Sequence, residues 1–353
     1  MHKISTIVLA WYRKKNITLP WRKNRNAYRT WISEIMLQQT QVNTAIPYFN
    51  KWFIRFPDIS TLANSHLDDV LKIWEGLGYY SRAKHIHETS KIIQTKYNGE
   101  IPSEYNKLIE LKGIGDYTAS AILSMQFKQM QPAVDGNIKR VLVRIFGIKQ
   151  HKRTLKHYKT YLLEILPKKN PGDMNQALMD LGRIICKPKI PICIDCPINK
   201  FCYAALKNQI SKFSIRKDIK LKPKYNVSVG IIIKNNQFLI SKRLPKGLLA
   251  NLWELPGGKI KNNESDVNAL IREVKEEVNI SISNIKKIGN LKHEYSHFSV
   301  DIKLFYCEYL KGVIQPLASQ KLKWINYSEI KKYSFPKATH KLFKLYNEYN
   351  SKD

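Results

Sequence analysis

Cys186, Cys193, Cys196 and Cys202 lie in one short window with the spacing C-x6-C-x2-C-x5-C. Nothing in the sequence marks an oxidising compartment, so clustered thiols are read as metal ligands before they are read as disulfides. A Cys-x2-Cys pair can place two thiolates on one metal, and the flanking cysteines complete a four-ligand set. Such a set suits either tetrahedral zinc or a four-iron cluster. Spacing favours iron, because a zinc ribbon carries two Cys-x2-Cys knuckles and this window has one. The fifth cysteine, Cys307, sits in an apolar run and is expected in a core. Two other groupings could do chemistry. Gly113 and Gly115, in Leu111-Lys112-Gly113-Ile114-Gly115, free the backbone to turn and aim its amides outward at a helix N-terminus. That geometry holds a phosphate oxygen without reading a base. Glu273, Glu276 and Glu277 fall on neighbouring faces of one predicted helix, gathering hard oxygen ligands as magnesium beside a diphosphate requires.

The elements that must position these residues divide the chain in two. At 353 residues it exceeds one ordinary core, and two domains are expected. Residues 1 to about 205 carry helical periodicity, as at 27–37, 67–77, 117–125 and 175–185, with prolines 102, 132, 167 and 171 at helix starts and loops. The N-terminus reads as an opening amphipathic helix closed by Arg13, Lys14 and Lys15 rather than as a signal peptide. A basic stretch over 211–224 without clear period reads as an interdomain linker. Beyond it the runs 226–233 and 237–240 flank Lys234-Asn235-Asn236, a strand–turn–strand signal. A helix over 265–278 and strands near 298–309 and 321–326 complete an α+β half. No run approaches the roughly 20 apolar residues of a membrane span. The formal charge of +32 and pI near 9.8 repel themselves unless a polyanion is nearby, so nucleic acid leads as partner. Heavy use of Lys, Ile and Asn, as AT-rich coding produces, accounts for part of that excess.

Two further segments complete a constellation: Trp31-Ile32-Ser33-Glu34-Ile35-Met36-Leu37-Gln38-Gln39-Thr40-Gln41 and Val134-Asp135-Gly136-Asn137-Ile138-Lys139-Arg140-Val141. With the glycine hairpin and the cysteine window, in collinear order, they resemble the helix–hairpin–helix DNA glycosylases, specifically the A/G-specific adenine DNA glycosylases (MutY-type). The resemblance implies an all-α helix–hairpin–helix domain over 1–210 with a [4Fe–4S] cluster loop at 186–202. It implies that Glu34 is the general acid toward adenine N7. Asp135 would stabilise the oxocarbenium-like sugar, with Asn137 as its orienting neighbour. To work near neutral pH, Glu34 must keep its proton, which burial beside Trp31 or Trp21 would arrange. Relatives that also cut the backbone carry a lysine where Tyr117 stands. Amine nucleophilic catalysis is therefore lost, and a monofunctional enzyme leaving an abasic site is expected, Tyr117 shaping the pocket around Asp135. By the same resemblance Trp21, Arg22, Leu37 and Gln176 line the adenine pocket, and Gln39 and Tyr79 wedge into the stack while the base is flipped. Gly113, Gly115, Lys139 and Arg140 would contact DNA phosphates, as would Lys187 and Lys189 within the cysteine loop.

The segment Gly258-x5-Glu264-x7-Arg272-Glu273-Val274-x-Glu276-Glu277-x-Asn279-Ile280 resembles the Nudix box, with Asn279 where glycine is usual. Asn tolerates the left-handed backbone such a site requires. A Nudix-like domain over 225–350 is expected. In the glycosylase family that domain usually lacks the catalytic glutamates and reads 8-oxoguanine; here Glu273, Glu276 and Glu277 are present, so Mg²⁺-dependent hydrolysis of oxidised nucleoside triphosphates is the alternative activity. Tyr295, Ser296 and His297 resemble the family's Phe-Ser-His loop for the oxidised guanine, Tyr replacing Phe. The expected partner is double-stranded DNA with A:8-oxoguanine or A:G mispairs, bound by a monomer in a bacterial cytoplasm beside the nucleoid.

Overall fold

The computed structural model describes residues 2–214, 222–295 and 297–351, so Ser296 and half of the expected linker, 215–221, lie outside the described residues. The chain divides into two compact units, one of residues 1–65 with 85–218, the other of residues 66–84 with 219–353. Contacts thus group the stretch 66–84, helical in pattern, with the C-terminal unit. No helix among the described residues is long and apolar enough to cross a membrane.

The first unit is helical, as the periodicity requires. Helix Ala27–Leu37 starts where the Asn26 side chain accepts the Arg29 amide at 2.7 Å. Helix Pro171–Ile184 begins with its proline in the first turn, where a missing N–H costs nothing. The hairpin runs from the short helix Tyr105–Ile109 through Gly113, at φ 82°, into helix Asp116–Gln126. A side chain at Gly113 would meet the His85 Cβ at 2.8 Å, so glycine is required there for both conformation and space. Helix Gly136–Phe146 buries Ile138, Val141, Leu142 and Ile145 against Leu162, Leu178 and Leu181. Each such side chain contributes about 1.5–3 kcal/mol. This packing fixes the start of that helix, where Asp135 stands.

The second unit contains a mixed sheet of seven strands among the described residues: β1 Lys224–Lys234, β2 Gln237–Arg243, β3 Trp253–Glu254, β4 Gly257–Lys259, β5 Ser281–Glu294, β6 Ser299–Lys311 and β7 Ser319–Ile325. The order is β3-β2-β1-β6-β5, with β4 on β1 and β7 on β2. β1 and β6 are parallel, from Lys224↔Ser299 to Ile233↔Glu308. The β1–β2 turn has Asn235 and Asn236 both at positive φ, the type I′ requirement. Helix Asp266–Val278 is capped by Ser265 and ended by Asn279 at φ 59°, the conformation expected of an asparagine in that place. It covers one face of the sheet through Leu270, Val274 and Val278, where Cys307 is fully buried, and helix Lys337–Asn350 covers the other through Leu342 and Phe343. Sequence periodicity missed β5, whose alternation is broken by Asn284 at positive φ and by three register shifts against β6.

Candidate active site

One cavity of about 820 Å³ in the helical unit gathers most of the predicted site: Trp21, Arg22, Glu34, Leu37, Gln39, Tyr117, Asp135, Asn137 and Gln176 all line it. Glu34 projects from helix Ala27–Leu37 and is buried. The Tyr117 hydroxyl, from the first turn of the hairpin's second helix, donates to its Oε2 at 2.5 Å. Burial pushes the Glu34 carboxyl up to about 7; Asp135 adds to that, while Tyr117 and Arg22 pull it down. Tyr117 therefore touches Glu34 directly while lining the same cavity as Asp135, and its own hydroxyl is raised, chiefly by burial and by Glu34 and Asp135.

Asp135 caps helix Gly136–Phe146. Its Oδ1 accepts the Ile138 amide at 2.7 Å and its Oδ2 accepts Asn137 Nδ2 at 2.8 Å. Burial raises this carboxyl and those bonds lower it, the net direction being upward. Arg140 continues the chain of contacts: Nη2 donates to Asn137 Oδ1 at 2.8 Å and to the Gly182 carbonyl at 2.7 Å, and Nε to the Cys186 carbonyl at 2.7 Å. This corrects the expected phosphate role of Arg140, which is buried and spent on internal acceptors. Lys139 is partly exposed and lies 5.8 Å from the Tyr158 ring centroid.

Arg144, one turn further, was missed by sequence reading. It is 1% exposed, and its Nη1 donates to Cys186 Sγ at 3.2 Å and to the Lys187 carbonyl at 2.8 Å, its Nη2 to the Pro188 carbonyl at 3.0 Å. Two arginines at i and i+4 inside an apolar stripe were the available signal. Cys186, Cys193, Cys196 and Cys202 are free and partly buried. Burial raises Cys196 to about 12 and also raises Cys193 and Cys202, and in each case neighbouring thiols add to the shift. The donor set is therefore four free thiols in one electrostatic neighbourhood, which fits a sulfur-ligated group. Among the described residues no three His, Cys, Asp or Glu side chains are gathered as around a single metal ion. A four-iron cluster, with one thiolate per iron, asks for a wider spacing than the four sulfurs about 2.3 Å from one zinc.

Around the cavity, Arg22 pairs with the buried Asp180 at 2.8 Å, and Tyr12 donates to Gln176 Oε1 at 3.2 Å. Asp180 was also missed by sequence reading, since a lone acid on a helix gives no warning of its partner. Trp21 packs edge-on to Phe49. Gln39 is exposed with φ 58°, and in the other unit Tyr79 has φ 49°. Both expected wedge residues thus hold a left-handed backbone costing about 1–3 kcal/mol. Gly115 is the N-cap of helix Asp116–Gln126 and exposed.

In the second unit Arg272 ties the Nudix carboxylates together: Nε and Nη2 reach Glu264 at 2.7 and 2.9 Å, and Nη1 reaches Glu273 at 2.8 Å and Glu276 at 3.0 Å. Glu277 instead accepts the Gly257 amide at 3.1 Å, and burial, with Glu254 beside it, pushes its carboxyl up to about 8. The Gly258 backbone lies against Glu273, so a Cβ there would sit 2.3 Å from the carboxyl carbon. A second cavity of about 400 Å³ is lined by Tyr295, Phe298, Glu254 and Arg243 among others. Tyr295 is stacked on Phe298 at 4.6 Å and turned into that cavity, while His297 is exposed with its ring 6.0 Å from Tyr79.

Residues 32–168 match the family profile of the HhH-GPD superfamily base excision DNA repair proteins, and residues 228–345 match the NUDIX domain. Fold and cavity therefore define a helix–hairpin–helix base-excision repair protein joined to a Nudix domain. Adenine DNA glycosylase of Buchnera aphidicola from Acyrthosiphon pisum is 37% identical over 351 residues, 98% of this chain and 97% of that protein. Adenine DNA glycosylase of Mus musculus is 30% identical over 402 residues, 97% of this chain and 77% of that one. The chain belongs to the adenine DNA glycosylase family. Among solved structures, a thermostable thymine-DNA glycosylase is similar with a TM-score of 0.54 at 25% identity, covering 58% of this chain and 95% of its own.

Proposed function

We propose that this protein removes adenine paired with 8-oxoguanine or guanine in duplex DNA by hydrolysing its N-glycosidic bond, and that it leaves the strand uncut. The observation that carries the reading is a pair of carboxyls in one cavity held in different ways. Glu34 is buried, lifted to about 7 and bonded to Tyr117; Asp135 is oriented through both oxygens by Ile138 and Asn137. Glu34 gives its proton to the departing base, which makes adenine a better leaving group. Asp135 faces the sugar as positive charge develops there, and a preorganised anion stabilises that charge without reorganising. Tyr117 carries no amine, so no Schiff base forms and no backbone cleavage follows. Trp21, Arg22, Leu37 and Gln176 enclose the extruded adenine, and Gln39 and Tyr79 fill the stack, offsetting a few kcal/mol of unstacking. The cationic surface, with Gly113, Gly115, Lys139, Lys187 and Lys189, supplies backbone affinity.

Cys186, Cys193, Cys196 and Cys202 would hold a [4Fe–4S] cluster, whose part here is to cross-link the loop as a fixed scaffold. Arg144 and Arg140 join that loop to helix Gly136–Phe146 and so to Asp135. Residues 1–210 supply the glycosylase domain, their stretch 66–84 grouping with the second unit; the linker ends before β1 at Lys224, and the Nudix-like domain to residue 350 reads the base opposite adenine, through Tyr295, Ser296 and His297. The alternative, hydrolysis of oxidised nucleotides by Glu273, Glu276 and Glu277 with Mg²⁺, would use a box in which Arg272 pairs with Glu264, Glu273 and Glu276. The test is strand breakage of an A:8-oxoguanine duplex: breaks appear only after alkali if the enzyme is monofunctional. Breaks without alkali, or none at all, would overturn the reading.

A further inference from the structure

The loop Gly76–Tyr80 has an unusual anchorage. Gly76, Gly78 and Tyr79 all have positive φ, so no regular backbone ladder continues through it. Immediately before it, at the C-cap of helix Leu67–Trp74, Glu75 reaches residues some 260 positions away in the same unit. Its Oε1 accepts the Phe335 amide at 2.7 Å and shares a hydrogen bond of 2.8 Å with His340 Nε2. Its Oε2 accepts Lys72 Nζ at 2.6 Å, and that ammonium also donates to the Tyr333 carbonyl at 2.7 Å. Burial would raise the Glu75 carboxyl, yet the bonds from His340, Lys72 and the Phe335 amide hold it below its ordinary value. Phe335 is fully buried in the core between the sheet and helix Lys337–Asn350, so the anchor point is rigid. Four residues further along the loop, the Tyr79 ring stands edge-on to His297 at 6.0 Å.

We propose that Glu75 is a positioning residue for recognition of the base opposite adenine, locking the Tyr79 loop to the Nudix core so that Tyr79 and His297 meet the duplex as one element. The proposal rests on the lesion-reading role given above to His297 and on the wedge role of Tyr79. A carboxylate that accepts the Phe335 amide and the His340 imidazole at once fixes its own segment to two distant points, while the Lys72 ammonium on the same helix neutralises its second oxygen. It therefore sets the loop's direction more narrowly than a single surface ion pair does. Without it, the local bonds of the loop remain: Tyr80 Oη accepts the Gly76 amide at 2.9 Å, and Trp74 Nε1 donates to the Gly78 carbonyl at 3.0 Å. The loop would keep its shape and stay registered to the Nudix core chiefly through the single Lys72–Tyr333 bond.

The experiment is single-turnover adenine release from A:8-oxoguanine and A:G duplexes by full-length wild type, Glu75→Ala, Glu75→Gln, His340→Ala and Asp68→Ala, with each Tm recorded. Glu75→Ala is expected to lower the A:8-oxoguanine to A:G rate ratio about tenfold, the loss falling on the 8-oxoguanine duplex. Glu75→Gln, which keeps an acceptor for the Phe335 amide, restores most of the ratio, and His340→Ala lowers it by a smaller factor. Asp68→Ala cuts the exposed Asp68–Lys242 pair of the same segment and keeps the wild-type ratio. If Glu75→Ala preserves the ratio, or Asp68→Ala lowers it equally, the positioning role is overturned. Should Glu75→Ala not fold, Glu75→Gln and His340→Ala decide by the same ratio. A wild type with no preference between the duplexes would instead overturn the lesion-reading role itself.

Discussion

The two units treat the same functional group in opposite ways. In the helical unit, Glu34 and Asp135 are held by uncharged donors: a tyrosine hydroxyl, an asparagine amide and a backbone N–H. The cations nearby are engaged elsewhere, Arg22 with Asp180 and Arg140 with Asn137 and the Gly182 and Cys186 carbonyls. Both carboxyls are consequently raised by burial. In the Nudix unit, Arg272 stands among Glu264, Glu273 and Glu276, and the Glu264 carboxyl falls to about 2, chiefly through its bond to Arg272. Depth of burial and charge of the partner act together here: Glu34 and Asp135 are buried and meet neutral donors, whereas Glu264 meets a guanidinium, and Glu254, bonded to Arg243 but deeply buried, is still raised. Glu277 follows the helical-unit pattern from within the second unit: burial, with Glu254 nearby, raises it to about 8, and its direct partner is a backbone amide.

The comparison breaks most sharply at Asp135. Replacing it by Asn keeps the shape and removes the anion, and adenine release should fall on the order of 10³-fold in a single-turnover assay. Retention of the wild-type rate would mean that the raised pair is an accident of burial. Glu34→Gln comes next, with a loss of about 10²–10³-fold expected from an absent general acid. It should also change stability in the opposite direction. The folded-state value near 7 exceeds the ordinary 4.5. Below pH 4.5 both states hold the proton; between 4.5 and about 7 the unfolded state alone releases it, so stability falls as pH rises through that window. The gap of 2.5 pH units corresponds to about 3 kcal/mol. Glu34→Gln should recover up to that amount at pH 8 and little at pH 4.5, measured by urea unfolding at both.

Arg272→Gln tests the other side. It leaves Glu264, Glu273 and Glu276 without their shared countercharge. The Glu264 carboxyl should climb toward its ordinary value by NMR titration, and Tm at pH 7 should drop roughly 2–4 °C. Added Mg²⁺ should raise Tm in the variant and scarcely in wild type, since only the variant lacks a cation among these oxygens. Equal Mg²⁺ response in both proteins would show that Arg272 does not occupy the cation's place.

Much of this was legible in the sequence because it follows from local pattern. The helices 27–37 and 265–278 announce themselves through apolar periodicity and caps, and Gly113 through the hairpin it permits. The gathering of Glu34, Tyr117 and Asp135 around one cavity was readable only through family resemblance, because their separations of 83 and 18 residues are set by packing of whole helices. Other features were not readable, the Arg22–Asp180 pair among them. Arg140 sits in a basic pair and looks like a phosphate contact, but its place on the helix turns it toward Asn137 and the cysteine loop. Strand β5 hides behind its bulges. Glu75 meets Phe335 and His340 through a contact that no spacing rule anticipates.

The finest test of the comparison is Tyr117→Phe. The Tyr117 hydroxyl donates to Glu34, and a donor stabilises the ionised carboxylate, so it lowers a value that burial has raised. Removing the hydroxyl should move the alkaline limb of the pH–rate profile upward from about 7, because Glu34 then keeps its proton longer. The rate at pH 7 should change by less than about tenfold, the scale of one hydrogen bond. Two effects compete there: more enzyme carries the proton, and the carboxyl is less firmly aimed. A profile in kcat/KM separates them, since the limb reports the proton and the plateau reports the aim. A limb that stays in place would mean that Tyr117 acts on Glu34 only by packing. A downward shift would mean that the hydroxyl stabilises the protonated acid instead, and the sign assigned here to a neutral donor would be wrong.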